Sequence, residues 1–424
     1  MTWVDTRLKH VCVDAGQYGL NISADNYVEF GTRLIRTSDI SSNGGLSAEG
    51  GVYVDIPLEA RHSLRKGDIL LSRSGTLGRS FLVPPEAEGQ TFAGFLVRFR
   101  PKVSVDPRYL HYATISESFQ GVVKSEAVSS TIQNFNAERY ANVSIRIPSL
   151  EEQRRIADFL DAETSRVDEL VALRQRQIEL LEERELAVIG DMLSGNAVSG
   201  RRYSTGWRWL PSIPSEWEVG PVYAYFYTAL GKMLNQERAS GLNQKPYLRN
   251  ANVHWYEIDS DDMATMDFDP EERARYSLEP GDLLVCEGGA GVAEAAVWDG
   301  RIEECYFQKS LHRVRKSKEL PVEWLMYWLR FAKSCGVFES DGNIATIPHL
   351  TGEQLRMYRI PIPNYAESLI RDTRSSINKL KDAITTQRRA QSLLAERRQA
   401  LITAAVTGQF DVTTASGRNL TQGV

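Results

Sequence analysis

The feature that most constrains this chain is that its sequence repeats itself, at an interval near 214 residues. SLRKGDILL, beginning at Ser63, corresponds to SLEPGDLLV, beginning at Ser277, and five of the nine residues are identical. LIRTSDI from Leu34 corresponds to YLRNANV from Tyr247, which brings Arg36 and Arg249 into register. FLVRFRPK from Phe95 corresponds to SLHRVRKS from Ser310, aligning Arg98 with Arg313 and Arg100 with Arg315. TIQNF at Thr131 with TIPHL at Thr346, and RIPS at Arg146 with PIPN at Pro361, continue the series. Agreement at so many points with nearly one offset makes the repeat the folding unit.

Each copy runs in the same order. A globular region comes first, 1–148 in one copy and 214–363 in the other, with short β-type runs such as GDILLS and FLVRFR between Gly, Pro, Asp and Ser turns. A long helix follows each, 149–195 and 364–408, joined by a linker over 196–213 and trailed by a flexible tail over 409–424. Ser149 with Glu152, and Asn364 with Glu367, have capping-box spacing, while Gly195 and Gly408 suit the left-handed residue that ends a helix. The expected fold class is α+β: two mixed α/β domains in tandem, each followed by a long helix.

Inside the helices the apolar residues recur at a 3–4 spacing. The first seam reads Val167, Val171, Arg174, Ile178, Leu181 and Val188, and the second Leu380, Ile384, Gln387, Leu394 and Leu401. Arg174 and Gln387 are matching polar positions. Such a pattern predicts a coiled coil of about six heptads, roughly 60–65 Å long. Residues 151–193 carry 6 basic and 12 acidic side chains, and 366–406 carry 8 and 4, so the helices favour each other over copies of themselves. The 18-residue linker could run back along a parallel pair only near full extension. An antiparallel pair is therefore expected, with Glu185 near Arg374 and Arg398 near Asp161 to within about one turn.

Charge and cysteine usage narrow the function. The net charge is −5, and no globular region is strongly basic: 1–150 carries 16 basic and 15 acidic residues, and 214–365 carries 16 and 23. Nucleic-acid binding would rest on local patches or on a partner's phosphate contacts. Cys12, Cys286, Cys305 and Cys335 are scattered, as are the six histidines, so neither zinc nor disulfides are expected. No apolar run approaches a membrane span and the N-terminus lacks a signal-peptide core, so a cytoplasmic, membrane-free protein is expected.

Two non-identical heads at a fixed spacing suit an asymmetric, two-part target with an unread spacer. At this point the residues resemble a known family. TIQNFNAERYANVSIRIPSLEEQRRIADFL is similar to the boundary between target-recognition domain and helix in type I restriction-modification specificity subunits. GDILLSRSGTLG and GDLLVCEGGAGVAEAAVW look like motifs of that family's recognition domains. The second helix departs from the pattern, beginning PNYAESLI where the first has PSLEEQRRI. The resemblance implies a non-catalytic subunit that reads double-stranded DNA and docks two methyltransferase subunits on its helices, with restriction (helicase-nuclease) subunits joining through them. It also implies that S-adenosylmethionine, ATP and magnesium bind those partners and none binds this chain.

Consistent with that, the sequence has no phosphate-binding loop, no aminomethyltransferase signature and no nuclease-like acidic set. GTLGRS and EGGAGVAE follow short β runs without a capped helix, so they read as turns or backbone–phosphate contacts. Candidate DNA contacts are Arg36, Arg73, Ser74, Thr76, Arg79, Arg98 and Arg100 in the first copy. Arg249, Lys309, His312, Arg313 and Arg315 are those of the second. The competing reading makes the strand arginines a solvated outer face. Two other functions compete as well: a coiled-coil scaffold that does not read DNA, and an enzyme using Cys286 beside Glu287 as nucleophile.

Overall fold

The computed structural model describes residues 3–41, 44–47, 50–128, 134–235, 239, 241–289, 291–338 and 349–412. The repeat segments at Thr131 and Thr346 lie partly outside these residues, as does the tail beyond 412. The chain divides into two compact units: Met1–Gln175 with Arg389–Val424, and Arg176–Arg388.

The first unit is built on two sheets. One has the order Gln17–Tyr18, Leu96–Phe99, Ile69–Ser72, Ser80–Leu82, with all neighbours antiparallel. The other has Thr32–Ile35 between antiparallel Val52–Val54 and parallel Thr91–Phe92. The GDILL motif explains the first sheet. Gly67 takes φ +88°, and Asp68 caps the turn by accepting the Arg65 N–H at 2.9 Å. The strand then buries both faces: Ile69 and Leu71 join the cluster around Phe99 and Tyr140, while Leu70 joins the one around Ile35 and Phe92. That alternation is the two-residue period of a strand covered on both sides.

The second unit repeats this topology. Its four-stranded sheet has the order Phe226–Leu230, Leu311–Lys316, Leu283–Cys286, Ala295–Val297, and its three-stranded sheet has Gln244–Leu248 between Ala264–Asp267 and Tyr306–Phe307. Gly281 (φ +94°) and Asp282, which accepts the Glu279 N–H at 2.8 Å, rebuild the capped turn. Leu283 and Val285 face one cluster and Leu284 and Cys286 another. The duplication extends to buried hydrogen bonds. Tyr109 Oη donates to the Arg146 carbonyl at 2.6 Å, and at the matching place Trp324 Nε1 donates to the Pro361 carbonyl at 2.8 Å.

The long helices are Leu150–Ser194 and Ala366–Thr407. The Glu152 N–H donates to Ser149 Oγ at 3.3 Å, as the capping spacing predicts. The second helix begins two residues after Asn364, and the Leu369 N–H reaches the Tyr365 carbonyl (3.5 Å), so Tyr365 takes the cap position expected of Asn364. Both C-termini close with a Schellman motif. Gly195 (φ +64°) donates to Met192 and Asn196 to Asp191; Gly408 (φ +73°) donates to Ala405 and Gln409 to Ala404.

Within the first unit, Ile156, Ala157 and Leu160 pack with Ile402, Ala405 and Val406 beneath Tyr109 and Tyr112. Each of the larger side chains, Ile156, Leu160, Ile402 and Val406, contributes about 1.5–3 kcal/mol when removed from water. Higher residue numbers on one helix meet lower ones on the other there: Arg398 Nε lies 3.1 Å from Asp168 Oδ1, and Gln391 Nε2 donates to the Val171 carbonyl at 3.3 Å. In the second unit Arg388 pairs with Glu182 at 3.1 Å. The pairs expected from matched helix centres differ. Arg398 meets Asp168 rather than Asp161, while Glu185 bonds Arg330 (3.2 Å) and Tyr256 (2.6 Å) and Arg374 bonds Glu323 (2.9 Å). The globular region supplies the partners of Glu185 and Arg374. Val167, Ile178 and Ile384 are buried, and Val171, Arg174, Leu181, Val188, Leu380, Gln387, Leu394 and Leu401 are half-buried. No described helix is long and apolar enough to cross a membrane.

Candidate functional site

In the first unit, two glycine-dependent backbone features flank an open groove. Gly19–Asn21 is clipped to the segment after Thr91–Phe92: Leu20 N–H donates to Phe92 O and Gly94 N–H to Leu20 O, both at 2.8 Å. A Cβ on Gly19 would sit 2.2 Å from the Phe92 carbonyl oxygen, so this approach requires glycine. Opposite is the loop over 73–79. Ser72 Oγ accepts the Arg79 N–H (3.0 Å) and donates to the Thr76 carbonyl, and Tyr140 Oη accepts the Gly78 N–H (3.0 Å). The groove between them has a volume of about 700 Å³, and Asn21, Arg36, Ser74, Thr76, Arg79 and Phe95 are in its lining.

Four residues chosen from sequence, Arg36, Ser74, Thr76 and Arg79, thus share one groove. Its guanidiniums are anchored from behind. Arg36 Nη2 lies 2.8 Å from Asp39 Oδ1 and 3.0 Å from the Gly50 carbonyl, and Arg79 Nη1 donates to the Ile40 carbonyl at 2.6 Å. Hydrogen bonding to Asp39 raises the pKa of Arg36, fixing its positive charge at the groove wall. Arg73 turns elsewhere, with Nε 3.3 Å from Asn134 Oδ1 and its guanidinium 4.8 Å from the Tyr18 ring centre.

The strand arginines fit neither the expected DNA contact nor a solvated face. Leu96–Phe99 and Leu311–Lys316 are inner strands, paired along both edges, and Leu96–Phe99 is buried on both faces. Arg98 is 3% exposed and bonds Asp14 (2.8 Å) and the Arg61 carbonyl (2.8 Å). Arg100 makes two 2.7 Å bonds to Asp68. His312 is buried, its Nε2 2.8 Å from the Leu350 carbonyl, and desolvation lowers its pKa. Arg313 donates to the Ser277 carbonyl (2.6 Å) and lies over the Phe307 ring, and Arg315 pairs with Asp282 and Glu279. Arg249 bonds Asp262 at 2.8 Å, and its backbone N–H donates to Asn252 Oδ1 at 3.0 Å. Of the second copy's candidates, only Lys309 is exposed.

Among the other lining residues, none of them a sequence candidate, Asn21 and Phe95 stand out. Asn21 is exposed and Phe95 is 63% exposed. The signal for them was Gly19 against Gly231, a glycine shared by both copies just before the positions where their side chains diverge. Cys286 is fully buried, and desolvation pushes its thiol up to about 12, so it is protonated near neutral pH and no nucleophile. Among the described residues, no three His, Cys, Asp or Glu side chains gather as a metal site.

Comparison with known proteins adds an independent line. Residues 14–183 match the family described as the type I restriction modification DNA specificity domain. The chain is 24% identical over 275 residues to the type I restriction enzyme StySPI specificity subunit of Salmonella potsdam. It is also 24% identical over 283 residues to the EcoKI specificity subunit of Escherichia coli K12. Each match covers 63% of this chain and 56% of the relative, so the chain aligns with little more than half the length of these proteins. A chain from a solved structure described as "Structural basis underlying complex assembly and conformational transition of the type I R-M system" superimposes with a TM-score of 0.68. Its sequence identity is 20%, over 96% of this chain and 98% of the other, which establishes a shared fold.

Proposed function

Because this chain belongs to the family of type I restriction-modification specificity subunits, we propose that it is the non-catalytic, sequence-specific DNA-binding subunit of such a complex. Its two recognition domains each read one half of an asymmetric, bipartite target and leave a spacer unread. The long helices pair as an antiparallel coiled coil and dock two methyltransferase subunits, through which restriction subunits join. S-adenosylmethionine belongs to the methyltransferase subunits, and ATP and magnesium to the restriction subunits. The complex works in the cytoplasm.

The observation that carries this reading is the duplicated, internally locked frame, which holds an open groove in the first copy between a backbone clip and a glycine loop. An anchored guanidinium wall suits DNA: the side chains of Arg36 and Arg79 are held in orientation from behind by protein acceptors. With a net charge of −5, the chain alone binds DNA weakly, and methyltransferase subunits closing on the duplex supply further phosphate contacts.

The test is selection from a random duplex library by the chain co-expressed with the methyltransferase subunit of its own genome. The proposal predicts a motif with two fixed parts and a degenerate spacer. Equal binding to all duplexes would favour a scaffold that does not read DNA. Tight, specific binding by the isolated chain at physiological salt would contradict the role given to the partners.

A further inference from the structure

The clip that presents Asn21 occurs in both copies. In the second unit, Lys232 N–H donates to Phe307 O (3.1 Å) and Lys309 N–H to Lys232 O (2.9 Å). These match Leu20 to Phe92 and Gly94 to Leu20 in the first. Gly231 replaces Gly19, and a Cβ there would lie 2.2 Å from the Gln308 carbonyl oxygen. The frame is therefore the same, but its exposed side chains differ: Asn21 and Phe95 on one, Met233 and Lys309 on the other. A rigid backbone shared by two reading heads, bearing unlike exposed groups, is where their sequence preferences can part.

We infer that these clips carry specificity-determining side chains: Asn21 reads an adenine and Lys309 a guanine, each from the major groove. The inference rests on the DNA-reading function proposed above. The Asn21 carboxamide has no hydrogen-bond partner among the described residues and is held close over Gly94, where a Cβ would fall 1.9 Å from its Oδ1. A carboxamide offers a donor and an acceptor side by side, matching adenine N6 and N7. The neighbouring Arg36 and Arg79 each spend donors on protein acceptors, whereas the Asn21 amide keeps both its donor and its acceptor for a base. Phe95 supplies an apolar surface beside it, suited to a thymine methyl. Lys309 stands at the position matching Gly94, is exposed, and has no side-chain partner among the described residues. An ammonium only donates, matching the two acceptors of guanine, N7 and O6.

The experiment repeats the random-duplex selection with the co-expressed complex, comparing wild type with Asn21→Ala, Gly94→Ala and Lys309→Ala. Asn21→Ala should reduce the preference for adenine at one position of one half-site by about 5- to 100-fold and leave other positions fixed. Gly94→Ala keeps the amide but displaces it, and should loosen the same position. Lys309→Ala should loosen a guanine in the other half-site. If wild type selects a clear motif and the variants keep every position, the inference is overturned. Weaker binding to all duplexes alike would also overturn it, assigning these side chains to phosphate. A wild-type complex that selects no motif would remove the reading on which the inference rests, and the inference with it.

Discussion

Arg100 grips Asp68 through two bonds, Nε to Oδ1 and Nη2 to Oδ2, both 2.7 Å long, and its Nη2 also reaches the Ser63 carbonyl at 3.2 Å. Arg315 repeats this grip on Asp282 and reaches the Ser277 carbonyl, also at 3.2 Å. The carboxylates are 1% and 2% exposed. In each copy the pair ties an inner strand to the glycine turn that starts its neighbour, so the lock belongs to the frame and not to the reading surface.

Removing one partner strands a buried charge. Arg100→Ala and Arg315→Ala should each destabilise the unit that contains them by about 3–5 kcal/mol. Urea unfolding of the purified chain measures this. Base preferences of any variant complex that still folds should not change, and a change confined to one base pair would contradict the structural role.

Arg313→Ala provides a sharper contrast. Its guanidinium is bonded to a carbonyl and packed on Phe307, and burial lowers its pKa. The expected cost is about 1–3 kcal/mol of stability. In a salt titration of the complex, the slope of log affinity should match wild type. A slope reduced by about one would mean that Arg313 contacts phosphate after all.

The sequence revealed the duplication, the two long helices, their glycine ends and the loop bearing Ser74, Thr76 and Arg79, because each depends on local spacing. It could not tell an inner strand from an outer one. FLVRFR alternates apolar and basic residues as a half-exposed strand would, yet Arg98 and Arg100 point to Asp14 and Asp68, which lie 84 and 32 residues away. Tertiary pairing of that kind leaves no mark on periodicity. Asn21 was hidden for a related reason: its presentation depends on Gly19 packing against Phe92 and Gly94 bonding Leu20 across the clip.

A pH effect follows from His111. Its Nδ1 lies 3.1 Å from Ser80 Oγ, and desolvation, reinforced by Arg398 and opposed by Asp161, pushes its pKa down to about 4. The unfolded chain binds this proton below about 6.5, whereas the folded chain resists it. Stability should therefore fall as pH drops from about 6.5 towards 4, by at most about 1.4 kcal/mol per pH unit from this group. Thermal melts of wild type and His111→Gln should differ in slope across that window. Parallel curves would show that His111 is not the group responsible.

Two glycines should respond in opposite directions. Gly408 has φ +73°, and an added Cβ would meet Trp3 Cε2 at 2.8 Å, so Gly408→Ala should destabilise by about 1–3 kcal/mol. Gly121 lies within the helix Glu117–Val128 with nothing near its Cβ position, so Gly121→Ala should stabilise by about 0.5–1 kcal/mol. Denaturant midpoints of the two variants test both signs.

The central claim is that each copy reads its own half of the target. Replacing residues 1–148 with the recognition domain of another specificity subunit, and sequencing the methylated sites of cells that carry the hybrid complex, tests it most directly. One half-site should change to that of the donor while the other half-site stays as in the wild type. A hybrid that alters both halves, or neither, would contradict the account.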